Sequence, residues 1–232
     1  MPSSYKPSRS EPMTEAAMGR SFKSLMMRGD DPLTRFDRIA PEVNFSQGRP
    51  DFVGVTVDKR SQMTLPRLFA RTKISRSHIA RIMTVIQRDE SISVLDLAQA
   101  TAITVARTRT IINPLERIGA VCTDAADTVR VVDLDLIAKP DLWAFELKLD
   151  DWKRCLFQTL VCRSYAPRVT AVFPASKAKH IEHIAPTFAR HGVGVMLFDA
   201  DTRKIKPVVR TTVQKPMSAY NAWMSCFEIA DA

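Results

Sequence analysis

Glycine is scarce in this chain, 7 residues among 232, and none falls in a GxxxxGK[ST] or GxGxxG frame. That excludes the phosphate-cradling loops of P-loop and dinucleotide enzymes, so no nucleotide cofactor is expected. Cysteine is also sparse. The 4 cysteines, Cys122, Cys155, Cys162 and Cys226, form no CxxC pair and follow no secretory h-region. They read as small hydrophobes in a reducing compartment, not as disulfides or a zinc site. No apolar run approaches the roughly 20 residues a bilayer-spanning helix needs. The reading is a cytoplasmic, nucleoid-associated protein with no membrane contact.

Apolar side chains make up 45% of the chain and charged ones 25%, enough for a core in one or two domains. Lys and Arg number 34 against 25 Asp and Glu, a net charge of +9. A basic excess attracts polyanions through counterion release, which makes nucleic acid the expected partner. The excess is spread along the chain, so any binding surface has to be assembled by folding.

Residues 1–48, rich in Ser, Pro, Met and Arg without a sustained period, predict a flexible N-terminal arm. A connector follows at 49–72, with a short strand over Asp51–Val57 and a short amphipathic piece over Thr64–Thr72. Residues 73–133 are better patterned. Apolar residues recur at helical spacing over His78–Arg88; Ser93 caps a second helix, and Thr104 opens a third. Pro114 is expected to end or kink that helix near Asn113. Ala120–Cys122 and Thr128–Val132 flank a polar tip and read as a hairpin. Three helices followed by a hairpin resemble the winged helix-turn-helix family. The resemblance implies double-stranded DNA as partner, with Thr104, Arg107, Thr108 and Arg109 as groove readers and Arg130 as a wing contact.

The chemistry-bearing text is Val131–Leu149, VVDLDLIAKPDLWAFELKL. Strand-like runs at Val129–Ala138 and Leu142–Leu149 flank Lys139-Pro140-Asp141 and predict a β-hairpin. Period 2 places Glu146 and Lys148 on one face with Ala144, and Phe145, Leu147 and Leu149 on the other. Asp133 and Asp135 share a face of the first strand, and either can lie across from Glu146. Charged groups among Val, Ile, Trp and Phe are costly unless they pair or hold a cation. Two carboxylates beside a lysine suit a hard divalent ion and an activated water.

Asp135-x10-Glu146-Leu147-Lys148, followed by a helix over Asp151–Tyr165, a strand over Arg168–Pro174, a helix over Lys177–His191 and a strand over Val193–Phe198, resembles the PD-(D/E)xK nuclease superfamily. The resemblance covers about residues 115–205. It implies a restriction-endonuclease-like αβββαβ domain with a central mixed sheet at 128–210, sharing its first strand with the wing, and a C-terminal tail at 211–232. The fold class expected is thus α+β or α/β. The resemblance further implies Mg²⁺ or Mn²⁺ held by Asp135, Glu146 and the Leu147 carbonyl, with Lys148 and Gln158 completing the catalytic set. Asp141 is the second choice for the first acid, because it forms the literal Pro-Asp pair, and Glu116 is the candidate helical acid. The expected activity is metal-dependent hydrolysis of DNA phosphodiesters. The alternative is a non-catalytic winged-helix regulator whose nuclease-like domain serves as a dimerisation or scaffold module, and a homodimer is left open.

Overall fold

In the computed structural model, residues 13–28, 35–56 and 63–231 are described. The chain runs α1 (Glu15–Arg28), β1 (Arg38–Pro41), β2 (Phe52–Thr56), β3 (Met63–Thr64), α2 (Leu65–Leu68), α3 (Arg76–Asp89), β4 (Ser91–Ser93), α4 (Val94–Thr101) and α5 (Val105–Arg117). It continues through β5 (Val121–Thr123), β6 (Thr128–Val131), β7 (Ile137–Ala138), β8 (Asp141–Leu147), α6 (Trp152–Cys162), β9 (Arg168–Pro174), α7 (Ala178–Arg190), β10 (Gly194–Asp199), β11 (Lys204–Val209) and α8 (Ala219–Asp231). The architecture is mixed α+β. A six-stranded sheet has the order β1-β2-β8-β9-β10-β11, parallel across β8-β9-β10 and antiparallel elsewhere.

Period-2 alternation gives this sheet two apolar faces. Leu142, Ala144, Val169, Ala171, Phe173, Val195 and Leu197 pack with α6 and α7, whereas Phe145, Leu147, Val172, Met196 and Phe198 pack with α1. Along β2, Val53 and Val55 face the first layer and Phe52 the second. Gly54 is required by a close approach: a Cβ there would lie 2.5 Å from the Phe36 ring, which stands edge-on to Trp143.

The second core belongs to the segment between β2 and β8. α3, α4 and α5 bury Ile79, Ile82, Met83, Ile86, Leu97, Ile111, Ile112 and Leu115 together. Ser93 and Thr104 cap α4 and α5 by accepting from Asp96 N–H and Arg107 N–H. A three-stranded antiparallel sheet, β4-β6-β5, closes the unit. The three helices and the wing therefore form where the periodicity predicts them. Of the two outcomes expected at Pro114, an end is not the one found: α5 runs through a buried Pro114 to Arg117, forgoing the bond that an N–H at 114 would make to the Thr110 carbonyl.

Three expectations about organisation are corrected. First, residues 1–48 are not a mobile arm where they are described. The α1 side chains Met18, Phe22, Leu25 and Met26 are buried against the sheet, and β1 pairs with β2; residues 1–12 and 29–34 lie outside the described residues. Second, the hairpin over Val129–Leu149 does not form. After the wing strand β6, the Asp133 carboxylate accepts the Asp135 N–H at 2.9 Å and starts a 3-10 turn over Leu134–Leu136, and β7 then pairs in parallel with β3. β8 instead lies between β2 and β9. Lys139, expected in a tight turn, sets its ammonium 3.8 Å from the Trp223 ring centroid. The wing therefore lends no strand to the larger sheet, and the 128–210 boundary fails. The winged unit is an insertion between β2 and β8, whose ends pair at Thr56 and Asp141. Third, the C-terminal tail contains a helix. α8 buries Trp223, Cys226 and Phe227 in the winged core and Ile229 in the sheet core, so it joins the two.

Candidate functional site

Antiparallel pairing of β2 with β8 sets Phe52 opposite Phe145. That register brings Asp51, the residue before β2, to the end of β8 that carries Glu146, Leu147 and Lys148. The Leu147 N–H donates to Asp51 Oδ2 at 2.7 Å across 96 residues of sequence. Lys148 Nζ donates to Glu146 Oε1 and to the Leu147 carbonyl, both at 2.9 Å. Asp51 Oδ2 stands 3.9 Å from the same ammonium, and Glu15 Oε2, from the first turn of α1, stands 4.0 Å away. One lysine is thus shared by three carboxylates from three elements.

Burial makes this cluster electrostatically tense. Glu146 and Lys148 are 2% and 7% exposed. Burial foremost, then the like charge of Asp51, pushes the Glu146 carboxyl up to about 7 despite the Lys148 hydrogen bond. Asp51 is also raised, again chiefly by burial, against the lowering effect of the Leu147 N–H. Burial opposes the Lys148 charge too, but the Glu146 hydrogen bond and the surrounding carboxylates outweigh it, and its pKa is raised. Lys148 therefore keeps its proton while Glu146 holds its own to near neutrality.

Two further oxygens matter. Glu146 Oε2 and Gln158 Oε1 are both buried without a hydrogen-bond partner among the described residues, and both residues line a pocket of about 210 Å³ beneath the loop at Gln47–Arg49. α6 delivers Gln158. It is capped by Asp151, which accepts the Arg154 N–H at 3.0 Å, and it lays Cys155 against the Glu146 carbonyl at 3.8 Å. Among the described residues, no three His, Cys, Asp or Glu side chains stand close enough together to hold one metal ion. The set does fit a hard cation that keeps most of its water: Asp51 and Glu146 are oxygen donors, Glu146 has an unsatisfied oxygen, and Mg²⁺ commonly takes only one or two carboxylates from a protein.

The expected ligand set is corrected accordingly. Glu146, Leu147, Lys148 and Gln158 gather as anticipated, but Asp135 does not join them. It is exposed in the turn after the wing, because Asp133 ends the strand there. Asp141 is not the first acid either, since it opens β8 at the opposite end of the strand from Glu146 and pairs with Arg168. Glu116 belongs to α5 in the winged unit, and the acid on a helix beside Lys148 is Glu15. The Leu147 carbonyl already accepts from Lys148. Asp51 was missed although a signal was present: Pro50-Asp51 stands directly before a strand-like run.

On the winged unit, α5 presents Arg107 and Arg109 to solvent, with Thr104 exposed at its cap. Thr108 is not a reader. It is 0% exposed, because the helical period that exposes 107 and 109 turns 108 inward with Ile111, Ile112 and Leu115. Arg109 pairs with Asp127 and Arg130 with Asp124, two acids that shape the wing-tip turn. Arg107 has no such ion-pair partner among the described residues. Each acid would compete with a DNA phosphate for its arginine, so Asp127→Asn is expected to raise duplex DNA affinity by up to about fivefold, the worth of an exposed ion pair. Asn suits the positive φ of 62° at that position. Fluorescence anisotropy at fixed salt checks this, and an unchanged or weaker affinity would count against it.

Among the described residues no helix is long and apolar enough to cross a membrane. No curated protein and no solved structure matches the chain. Residues 76–121, from α3 into β5, match the family model described as winged helix-turn-helix DNA-binding. With the helices, caps and wing in place around that match, this segment is a winged helix-turn-helix DNA-binding domain.

Proposed function

We propose that the protein is a DNA-binding, metal-dependent nuclease of the PD-(D/E)xK type, in which the winged domain docks the duplex and the lysine centre cleaves it. The observation that carries this reading is the convergence of Glu15, Asp51 and Glu146 on the Lys148 ammonium within 4.0 Å. The order α1-β1-β2-β8-α6-β9 also reproduces the superfamily's αβββαβ succession once the winged insertion is set aside. In this reading Pro50-Asp51 is the motif's opening pair, Glu146-Leu147-Lys148 its closing triplet, and Glu15 its helical acid.

The chain's own groups have definable tasks. Asp51 and Glu146 would hold Mg²⁺ or Mn²⁺, and their crowded charge favours a cation between them. A bound divalent ion supplies Lewis acidity, a water of lowered pKa and neutralisation of charge on the phosphate. Lys148, protonated and anchored by Glu146 and the Leu147 carbonyl, directs an N–H toward an attacking water or a phosphoryl oxygen. Gln158 offers an unpaired acceptor that orients water beside Glu146. The two free oxygens require donors, which water in the pocket would supply.

Two measurements test the reading. With Mg²⁺ or Mn²⁺, the protein is expected to cut supercoiled, linear or branched DNA, and Lys148→Ala to slow cutting about 10²- to 10⁴-fold with little change in DNA affinity. Mn²⁺ at a hundredfold excess over its Kd is expected to raise the melting temperature by about 5–10 °C, and Asp51→Asn to remove that rise. One feature favours the alternative of a non-catalytic DNA-binding regulator: Lys148 already satisfies Glu146 Oε1 and the Leu147 carbonyl, as a purely structural ion cluster would. That alternative requires intact DNA throughout and no metal-dependent rise.

A further inference from the structure

Glu15, Asp51 and Leu147, the outer residues of the lysine centre, face a cleft of about 390 Å³ between α1 and the segment leading into β2. Glu15 and Asp51 line its acidic end. Farther along the same wall, α1 contributes Arg20 and Lys23. The opposite face of α1 buries Met18, Phe22, Leu25 and Met26, which fixes the rotation of the helix and hence which side chains meet the cleft. Arg20 is exposed and Lys23 half-buried, and neither has an ion-pair partner among the described residues. The remaining acid on the wall, Glu42, stands 3.8 Å from Arg49.

The cleft is therefore graded in charge. Glu15 and Asp51 occupy one end beside Leu147, and Arg20 and Lys23, without ion-pair partners among the described residues, lie along the wall. From Glu15 to Lys23 the helix rises about 12 Å at 1.5 Å per residue, the axial rise of about three to four nucleotides of one DNA strand. Unpaired cations spaced along such a wall neutralise successive phosphates, while the acidic end repels phosphate unless a cation is present. The contrast with the winged domain sharpens the point. There, two of the exposed arginines are already tied to wing acids, whereas Arg20 and Lys23 have no ion-pair partner among the described residues.

We infer that Arg20 and Lys23 form a second DNA-backbone contact, distinct from the winged helix, that lays the strand to be cut along α1 toward the Glu15–Asp51 end of the cleft. This rests on the reading of the lysine centre as a phosphodiester site. The contact is sequence-blind, since both groups meet phosphate and neither reaches a base edge. It makes the winged domain the positioning element for a site that grips the backbone independently.

The test uses the full chain and duplexes of two unrelated sequences, with affinity measured by anisotropy across a salt series in Ca²⁺. Arg20→Ala/Lys23→Ala is expected to lower the magnitude of the log Kobs against log[salt] slope by about 2 and to weaken both duplexes equally. Arg20→Lys/Lys23→Arg should restore both. An unchanged melting temperature shows that the fold is intact, as expected for two side chains that face the cleft. A slope unchanged by the double alanine variant overturns the contact. The outcomes separate it from the nuclease reading: a fallen slope with DNA never cut keeps the contact and discards nuclease activity. DNA cut at an unaltered rate and slope by the double variant keeps the nuclease and discards the contact.

Discussion

Between pH 4.5 and about 7, Glu146 is expected to remove about 3 kcal/mol of stability, and Glu146→Gln to abolish that loss. The sign follows from where the proton binds more tightly. Glu146 titrates near 4.5 in an unfolded chain but at about 7 when folded, chiefly because burial disfavours its charge. Below pH 4.5 both states are protonated and the residue is neutral in the balance. As pH rises toward 7 the unfolded chain ionises first and is favoured, and above 7 the folded protein carries the full cost of a buried carboxylate. Asp51, raised in the same direction, adds to the effect just above its ordinary range. Lys148 acts elsewhere. Its raised pKa contributes stability that is fully present below 10.5 and lost only as pH rises through its folded value.

The measurement is urea unfolding of the parent protein and Glu146→Gln at pH 5 and pH 8, read as the difference between the two, so that other titrating groups cancel. Gln keeps the shape and an acceptor for Lys148, while Asp51 and Glu15 remain as counter-charges. A difference that stays constant over the two pH values would sink the account of the cluster. Saturating Mn²⁺ gives a second arm. A cation at the carboxylates favours their charged form and should flatten the parent's decline.

Phe22→Ala is expected to cost about 3–5 kcal/mol, the usual penalty for emptying a fully packed aromatic site. Phe22 is 0% exposed. Its ring lies 5.3 Å from Phe198, edge-on, and 5.6 and 5.8 Å from Phe145 and Phe52, so it fills the point where α1 meets β2, β8 and β10. A mobile arm would make the substitution silent. Denaturant midpoints settle the matter, and a loss below about 1 kcal/mol, the ordinary surface range being smaller still, would return α1 to the status of an appendage. Because α1 also carries Glu15, the substitution tests whether the third carboxylate stands on a rigid element.

How much was legible along the chain differs between the two units, for a physical reason. In the winged domain the contacts are local. Helical periods of Ile, Leu and Val, the caps Ser93 and Thr104, and the polar wing tip all lie within about 60 residues, so neighbours in sequence are neighbours in space. Even there one reader was misassigned: Thr108 was grouped with its polar neighbours, although its place in the helical period points it into the core. In the sheet the residue faces were legible and the partners were not. Glu146 does meet α6 on the side of the sheet that buries Ala144, with Lys148 bonded to it from just past β8, and α6, β9, α7 and β10 lie within a few residues of where they were expected. A strand's own residues say that it will pair, but its partner is chosen by burial across the whole sheet. Two strand-like runs on either side of Lys139-Pro140-Asp141 suggested a hairpin, yet Asp133 breaks the first run and β2 takes the place beside β8.

What the sequence by itself determined is therefore the winged helix-turn-helix, the succession α6-β9-α7-β10, and half of the candidate site, Glu146-Leu147-Lys148 with Gln158. Only the tertiary structure decided which acids meet that lysine. Asp51 and Glu15 reach it because the sheet accepts β2 beside β8 and α1 across its face, a choice made by apolar packing over separations of about a hundred residues that no motif spacing records. The same packing turned a Met- and Ser-rich segment into a structural helix, and with it supplied Arg20 and Lys23, the cations that dispersed charge along the sequence had left without a place.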